Sequence, residues 1–131
     1  MPSGPPDRAA LLQRLHRESD IRRVFREGRR FHSPVAVLHS RERAGAEGIP
    51  AGPRLAVTAG RSFRSAVARN RARRTLREVS RVLLRDAQGS HDILVVARPN
   101  ALDQPYQARL QTLTALFGQA GILAAKEGVA A

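Results

Sequence analysis

Six residues packed into one short segment carry the strongest chemical signal in the sequence: Arg69, Asn70, Arg71, Arg73, Arg74 and Arg77. Guanidinium groups hold phosphates through two parallel hydrogen bonds and stack on base rings, and a neighbouring carboxamide can donate and accept at once. Nine arginines and a single acid, Glu78, lie between positions 61 and 85. On a solvated helix such charges are usually balanced by acids at i, i+4. Here like charges follow one another along 69–73–77–81–85, at a cost of roughly a few tenths of a kcal/mol per pair. A sequence under pressure only to be soluble could mix signs. The imbalance therefore points to a polyanionic partner.

The whole chain points the same way. Its 131 residues hold 23 basic and 11 acidic side chains, a formal charge of +12. That excess attracts polyanions and makes their binding depend on salt. Of the 23 basic residues only Lys126 is a lysine. A GC-rich genome would produce the same bias, but the physical consequence is the same.

Other chemistries find little support. Without cysteine there are no disulfides, thiolate metal sites or thiol nucleophiles. The four histidines, His16, His32, His39 and His91, are too scattered for a metal-ligand or nucleophile–base pattern. Gly45-Ala46-Glu47-Gly48 has no strand before it and no helix after it, so it is not a phosphate loop. No apolar run approaches a membrane span, and the first residues lack the apolar stretch of a signal peptide. A cytoplasmic, single-domain protein is expected, with its domain over 14–124 and mobile tails at 1–13 and 125–131.

The arginine segment needs elements to position it. Ser19, Asp20, Ile21, Val24, Phe25 and Gly28 predict a first helix capped at Ser19 and stopped by Gly28. Strands are predicted at 35–39, 55–59 and 93–97, with a flexible loop at 41–53 and a last helix over 103–124. The arginine segment itself predicts a helix over 64–86. On its wheel Ala68, Ala72, Leu76, Val79 and Leu83 form a core-facing stripe, with Thr75 and Val82 beside it. Arg69, Arg73, Arg74, Arg77, Arg81 and Arg85 take the opposite half, and Arg71 the flank. The order implies an α+β sandwich around one small sheet, with 55–59 and 93–97 parallel across the helix.

Arg64-Ser65-Ala66-Val67-Ala68-Arg69-Asn70-Arg71-Ala72-Arg73-Arg74-Thr75-Leu76-Arg77-Glu78 closely resembles the RNR signature of the bacterial ribonuclease P protein subunit. Residues 14–28, Arg54-Leu55-Ala56-Val57-Thr58 and Asp92 through Pro99 resemble that family's first helix and the strands flanking the signature. The resemblance implies an α/β sandwich of αβββαβα-like order, like a domain of a ribosomal protein, with a left-handed βαβ crossover, an exception to the usual rule. It also implies an endoribonuclease at the level of a ribonucleoprotein. An RNA subunit and its Mg²⁺ would cut the 5′ leader from precursor tRNA, leaving a 5′-phosphate on the mature end, with no catalytic or metal-binding side chain in the protein. Arg61, Arg69, Asn70, Arg71, Arg73, Arg74 and Arg77 would then bind RNA, and Ile21, Phe25 and His39 would line a cleft for the leader. The chain departs from the family pattern at Ile21 and His39, where aromatics are usual. It departs again at Arg61-Ser62-Phe63-Arg64, where paired lysines and a glycine are usual. A ribosomal-type or general structured-RNA-binding protein remains the alternative. A helix-turn-helix DNA binder is disfavoured, because two strands separate the candidate helices.

Overall fold

The computed structural model describes residues 12–43 and 51–124. Five strands form one sheet: β1 (Gln13–Arg14), β2 (Arg29–His32), β3 (Ala36–Glu42), β4 (Arg54–Ala59) and β5 (His91–Ala97), in the spatial order β1-β4-β5-β3-β2. Three helices accompany them: α1 (Glu18–Glu27), α2 (Ala66–Leu83) and α3 (Tyr106–Gln119). β4 and β5 are parallel, as expected for a strand–helix–strand unit, with Val57 opposite Val95. β3 runs antiparallel to β5, with His39 opposite Leu94.

Alternation along the central strands builds two cores. Leu38, Leu55, Ile93 and Val95 point to one face, where α2 and α3 cover them with Leu76, Val79, Leu113 and Phe117. Leu94 points to the other face with Leu15 and Val24, and Ile21, Ala56 and Val96 pack at their margin beneath α1. The sheet is therefore buried on both sides, which is why β5 reads as an unbroken apolar run.

Helix boundaries shift from the sequence expectations for local reasons. α1 starts before Ser19, with Arg17 at its N-cap and no side-chain cap; Glu18 and Asp20 supply favourable charge in the first turn. α2 starts at Ala66 because the Ser65 hydroxyl accepts the amide of Ala68 at 3.1 Å. The chain passes through a 3-10 turn at Leu84–Asp86 before Gly89 adopts φ 73°. α3 cannot begin at 103: a 3-10 turn occupies Pro99–Asp103, and Pro105 takes the N-cap. Gly28 lies where α1 turns into β2. A Cβ there would stand 2.5 Å from the Val24 oxygen and 2.7 Å from the Ser40 oxygen, so no larger residue fits without moving backbone.

Two strands go beyond the three read from residue patterns, and one of them, β2, is the extra strand of the αβββαβα-like order that the resemblance implies. β1 starts at Gln13, the last residue of the expected mobile leader, and pairs in parallel with Arg54 and Leu55. Residues 1–11 of that expected tail and the expected tail at 125–131 lie outside the described residues, as does most of the expected loop, 44–50. At that loop's start β3 continues to Glu42. β2 is an edge strand of Arg29, Arg30, Phe31 and His32, with the Arg29 guanidinium 4.9 Å from the centre of the Phe31 ring. Charged residues suit an exposed edge.

Candidate nucleic-acid interface

α1 is held on the sheet by apolar packing and by one buried carboxylate. Asp92, 1% exposed, accepts hydrogen bonds from Arg43 Nη1 at 2.8 Å and from Arg54 Nε and Nη2 at 2.7 Å each. Arg41 stands 3.6 Å away. The same arginines reach α1: Arg54 meets Asp20 at 3.3 Å near its start, and Arg41 meets Glu27 at 3.3 Å at its end. Burial disfavours the charged carboxylate, but the hydrogen bonds from Arg54 and Arg43 outweigh it and hold the Asp92 pKa below its ordinary value. A buried charge of this kind is tolerable only with such full pairing. Between its two anchored ends α1 buries Val24 and turns Phe25 outward, 51% exposed.

An open groove of about 820 Å³ begins at Ile21 and Phe25. It crosses the outer edge of β4 at Thr58 and Gly60 and reaches Arg61, Arg77 and Arg81. Among the described residues β1 pairs only with Arg54 and Leu55, so the second half of β4 has no neighbour on that side. One wall is thus apolar and aromatic and the other cationic. A flexible polyanion with stacking rings matches both.

The residues expected to bind fall into distinct places. Ile21, Phe25, Arg61 and Arg77 come together in the groove. His39 does not line it. It is buried, 6% exposed, with its ring centroid 4.5 Å from that of Phe25 and the planes tilted by 57°. Burial, with help from Arg30 and His32, pushes the His39 pKa below 6.5, so at neutral pH the ring is uncharged and acts as a backing for Phe25. Asn70, Arg71 and Arg74 are exposed on α2 outside the groove.

Two expectations for the α2 wheel are corrected. Arg69 and Arg73 are half-buried instead of outward-facing, because they stand three residues before the buried Ala72 and Leu76; the Arg73 Nε is buried with no partner among the described residues. Val82, expected beside the core stripe, is 42% exposed, and Ser80 is buried in its stead. Arg81, placed on the outer half but not among the candidate contacts, lines the groove one helical turn beyond Arg77; its i+4 spacing was the available signal. Among the described residues no arginine of α2 is paired with a carboxylate, whereas Arg22, Arg41, Arg43 and Arg54 all are.

Comparison with known proteins finds relatives over most of the chain. The family model described as Ribonuclease P matches residues 11–121. The "Ribonuclease P protein component" of Symbiobacterium thermophilum is 36% identical over 110 residues, covering 84% of this chain and 92% of that protein. The protein of the same name from Paramagnetospirillum magneticum is 34% identical over 116 residues, covering 88% and 87%. In fold, the chain is similar to the RNase P protein of Staphylococcus aureus, with a TM-score of 0.70 at 23% identity, covering 84% of this chain and 96% of that one. It is also similar to that of Thermotoga maritima, with a TM-score of 0.68 at 23% identity, covering 82% and 96%.

Proposed function

This chain belongs to the ribonuclease P protein family, and on that premise we propose that it binds the catalytic RNA through α2 and seats the precursor-tRNA leader in the groove between α1 and α2. As a ribonuclease P protein component it serves tRNA 5′ processing. The observation that carries the finer reading is the groove itself. It joins an exposed phenylalanine to Arg61, Arg77 and Arg81, three of the four arginines that line it, across a sheet edge left unpaired among the described residues.

In this reading the division of labour follows from the side chains. Arg71, Arg74 and Asn70, exposed beyond the groove, dock on the RNA subunit. Arg61, Arg77 and Arg81 hold leader phosphates while Phe25 stacks on a base. His39 keeps that ring in place. The groove wall is cationic, a poor host for Mg²⁺, so the Mg²⁺ that supplies a hydrolytic water is assigned to the RNA. The protein raises affinity and orients the strand; it transfers no proton itself. Among the described residues no helix is long and apolar enough to cross a membrane, and the cytoplasm, where precursor tRNA is made, is the proposed site of action.

The test is reconstitution with the organism's ribonuclease P RNA at low Mg²⁺, scored by leader removal. Stimulation together with preference for precursor over mature tRNA supports the proposal. RNA binding without stimulation would instead favour a ribosomal-type RNA-binding role.

A further inference from the structure

Beyond Arg81, the last turns of α2 and the start of α3 enclose a second groove of about 250 Å³. Its floor is apolar: Val82 is 42% exposed, Tyr106 is 44% exposed, and Leu12 lies beside them. Arg81, Arg85 and Glu78 form the polar wall. Single exposed apolar residues are ordinary on protein surfaces. A ring and a valine together, walled by two arginines without a carboxylate partner among the described residues, are less so.

The chain has only five aromatic side chains, four Phe and one Tyr. Phe63 and Phe117 are buried and Phe31 is half-buried, leaving Phe25 and Tyr106 as the two exposed rings. Each ring stands beside arginines in its own groove, and the two grooves are continuous, since Leu12 and Arg81 line both. From Arg77 to Arg85 the cationic row extends about 12 Å along the end of α2 and into the 3-10 turn that follows it, a span of a few nucleotides. The chemistry suits an unpaired nucleotide: a ring face for the base, guanidinium groups for phosphate, and the Glu78 carboxylate to accept from an exocyclic amino group.

We propose that Tyr106 is a second base-stacking platform, with Arg81 and Arg85 holding phosphates, that receives single-stranded RNA continuing from the first groove. The inference rests on the RNA-binding reading above and adds a site to it.

The protein carries its own reporter, because Tyr106 is the only tyrosine and there is no tryptophan. The full chain is titrated with an end-labelled ten-nucleotide oligoadenylate, following probe anisotropy and tyrosine emission together. Saturable quenching of the tyrosine in step with binding is expected. Tyr106→Phe should bind within twofold of wild type, and Tyr106→Ala roughly tenfold more weakly, with Arg85→Gln also weakened. Binding with unchanged tyrosine emission, or Tyr106→Ala binding like wild type, overturns the platform while leaving the first groove intact. Emission that changes with protein concentration alone, before RNA is added, assigns the groove to a second copy and likewise overturns it. No anisotropy change at all overturns the RNA reading itself, and the platform with it.

Discussion

The ring of Phe25 lies against that of His39, 4.5 Å between centroids and tilted by 57°. One is half in solvent on α1; the other is buried in β3. The pair makes a platform of a surface side chain, since the buried His39 ring backs it. Phe25→Ala is expected to weaken holoenzyme affinity for precursor tRNA by roughly tenfold, the scale of one base–aromatic stack. Affinity for mature tRNA should change little. Equal losses on both substrates, measured by competition binding, would refute a leader contact. Because Phe25 is 51% exposed, the thermal midpoint should barely move.

Asp92 joins three strands and both ends of α1 through Arg41, Arg43 and Arg54. Asp92→Asn keeps the shape but removes the charge, leaving buried guanidinium groups under-compensated. Removing one partner of such a buried cluster costs about 3–5 kcal/mol. Urea unfolding should show a loss on that scale, and hydrogen exchange should show α1 opening first. A loss below about 1 kcal/mol would mean that apolar packing of Val24 and Ile21 alone holds the helix.

Much of this arrangement was legible in the residues, for reasons that differ by element. β5 announced itself because both faces are covered, giving an apolar run with no alternation. α2 announced itself through the repeat of Ala72, Leu76 and Val79, though the cap at Ser65 emerged only in the structure. β1 and β2 did not, because Gln13-Arg14 and Arg29-Arg30-Phe31-His32 have no strand-like pattern of their own. The conformation of β1 comes from pairing with Leu55 in a distant segment, and that of β2 from pairing with β3 across the short turn at 33–35. The wheel correctly found two faces on α2 but misjudged their edges at Arg69, Arg73 and Val82, since periodicity does not show which neighbours cover a flank. The Asp92 cluster was invisible for the same reason: its arginines come from positions 41, 43 and 54, and only the sheet register brings them to one carboxylate.

Acid sensitivity follows from three buried groups. Burial pushes the pKa values of His39 and His91 below 6.5. The unfolded chain therefore takes up protons near pH 6.5 that the folded chain refuses, so stability is full above that pH and declines below it until the folded-state values are passed. Asp92, held below 3.8, adds a second decline as pH falls under that value. Urea midpoints measured from pH 8 to pH 5 should fall, and His39→Gln combined with His91→Gln should flatten the slope between pH 7 and pH 5. An unchanged slope in the double variant would place the sensitivity elsewhere.

The unpaired arginines of α2 predict how binding responds to salt. Each phosphate neutralised on a duplex contributes about 0.9 to the slope of log affinity against log salt, and about 0.7 on a single strand. Arg71 and Arg74, exposed outside the groove, should contact the RNA subunit. Replacing both by Gln should lower the slope for that RNA by about 1.5–2, with little effect on folding, since neither makes an ion pair among the described residues. Arg77→Gln should act on precursor tRNA instead, lowering its slope in the holoenzyme by about 0.7. Arg22→Gln is the control: its ion pair with Glu18 at 3.1 Å lies on exposed α1, and it should leave the slope for the RNA subunit unchanged. Equal effects from Arg22 and from the α2 arginines would reduce the interface to net charge. A selective loss at Arg71 and Arg74 would locate it on this one helix.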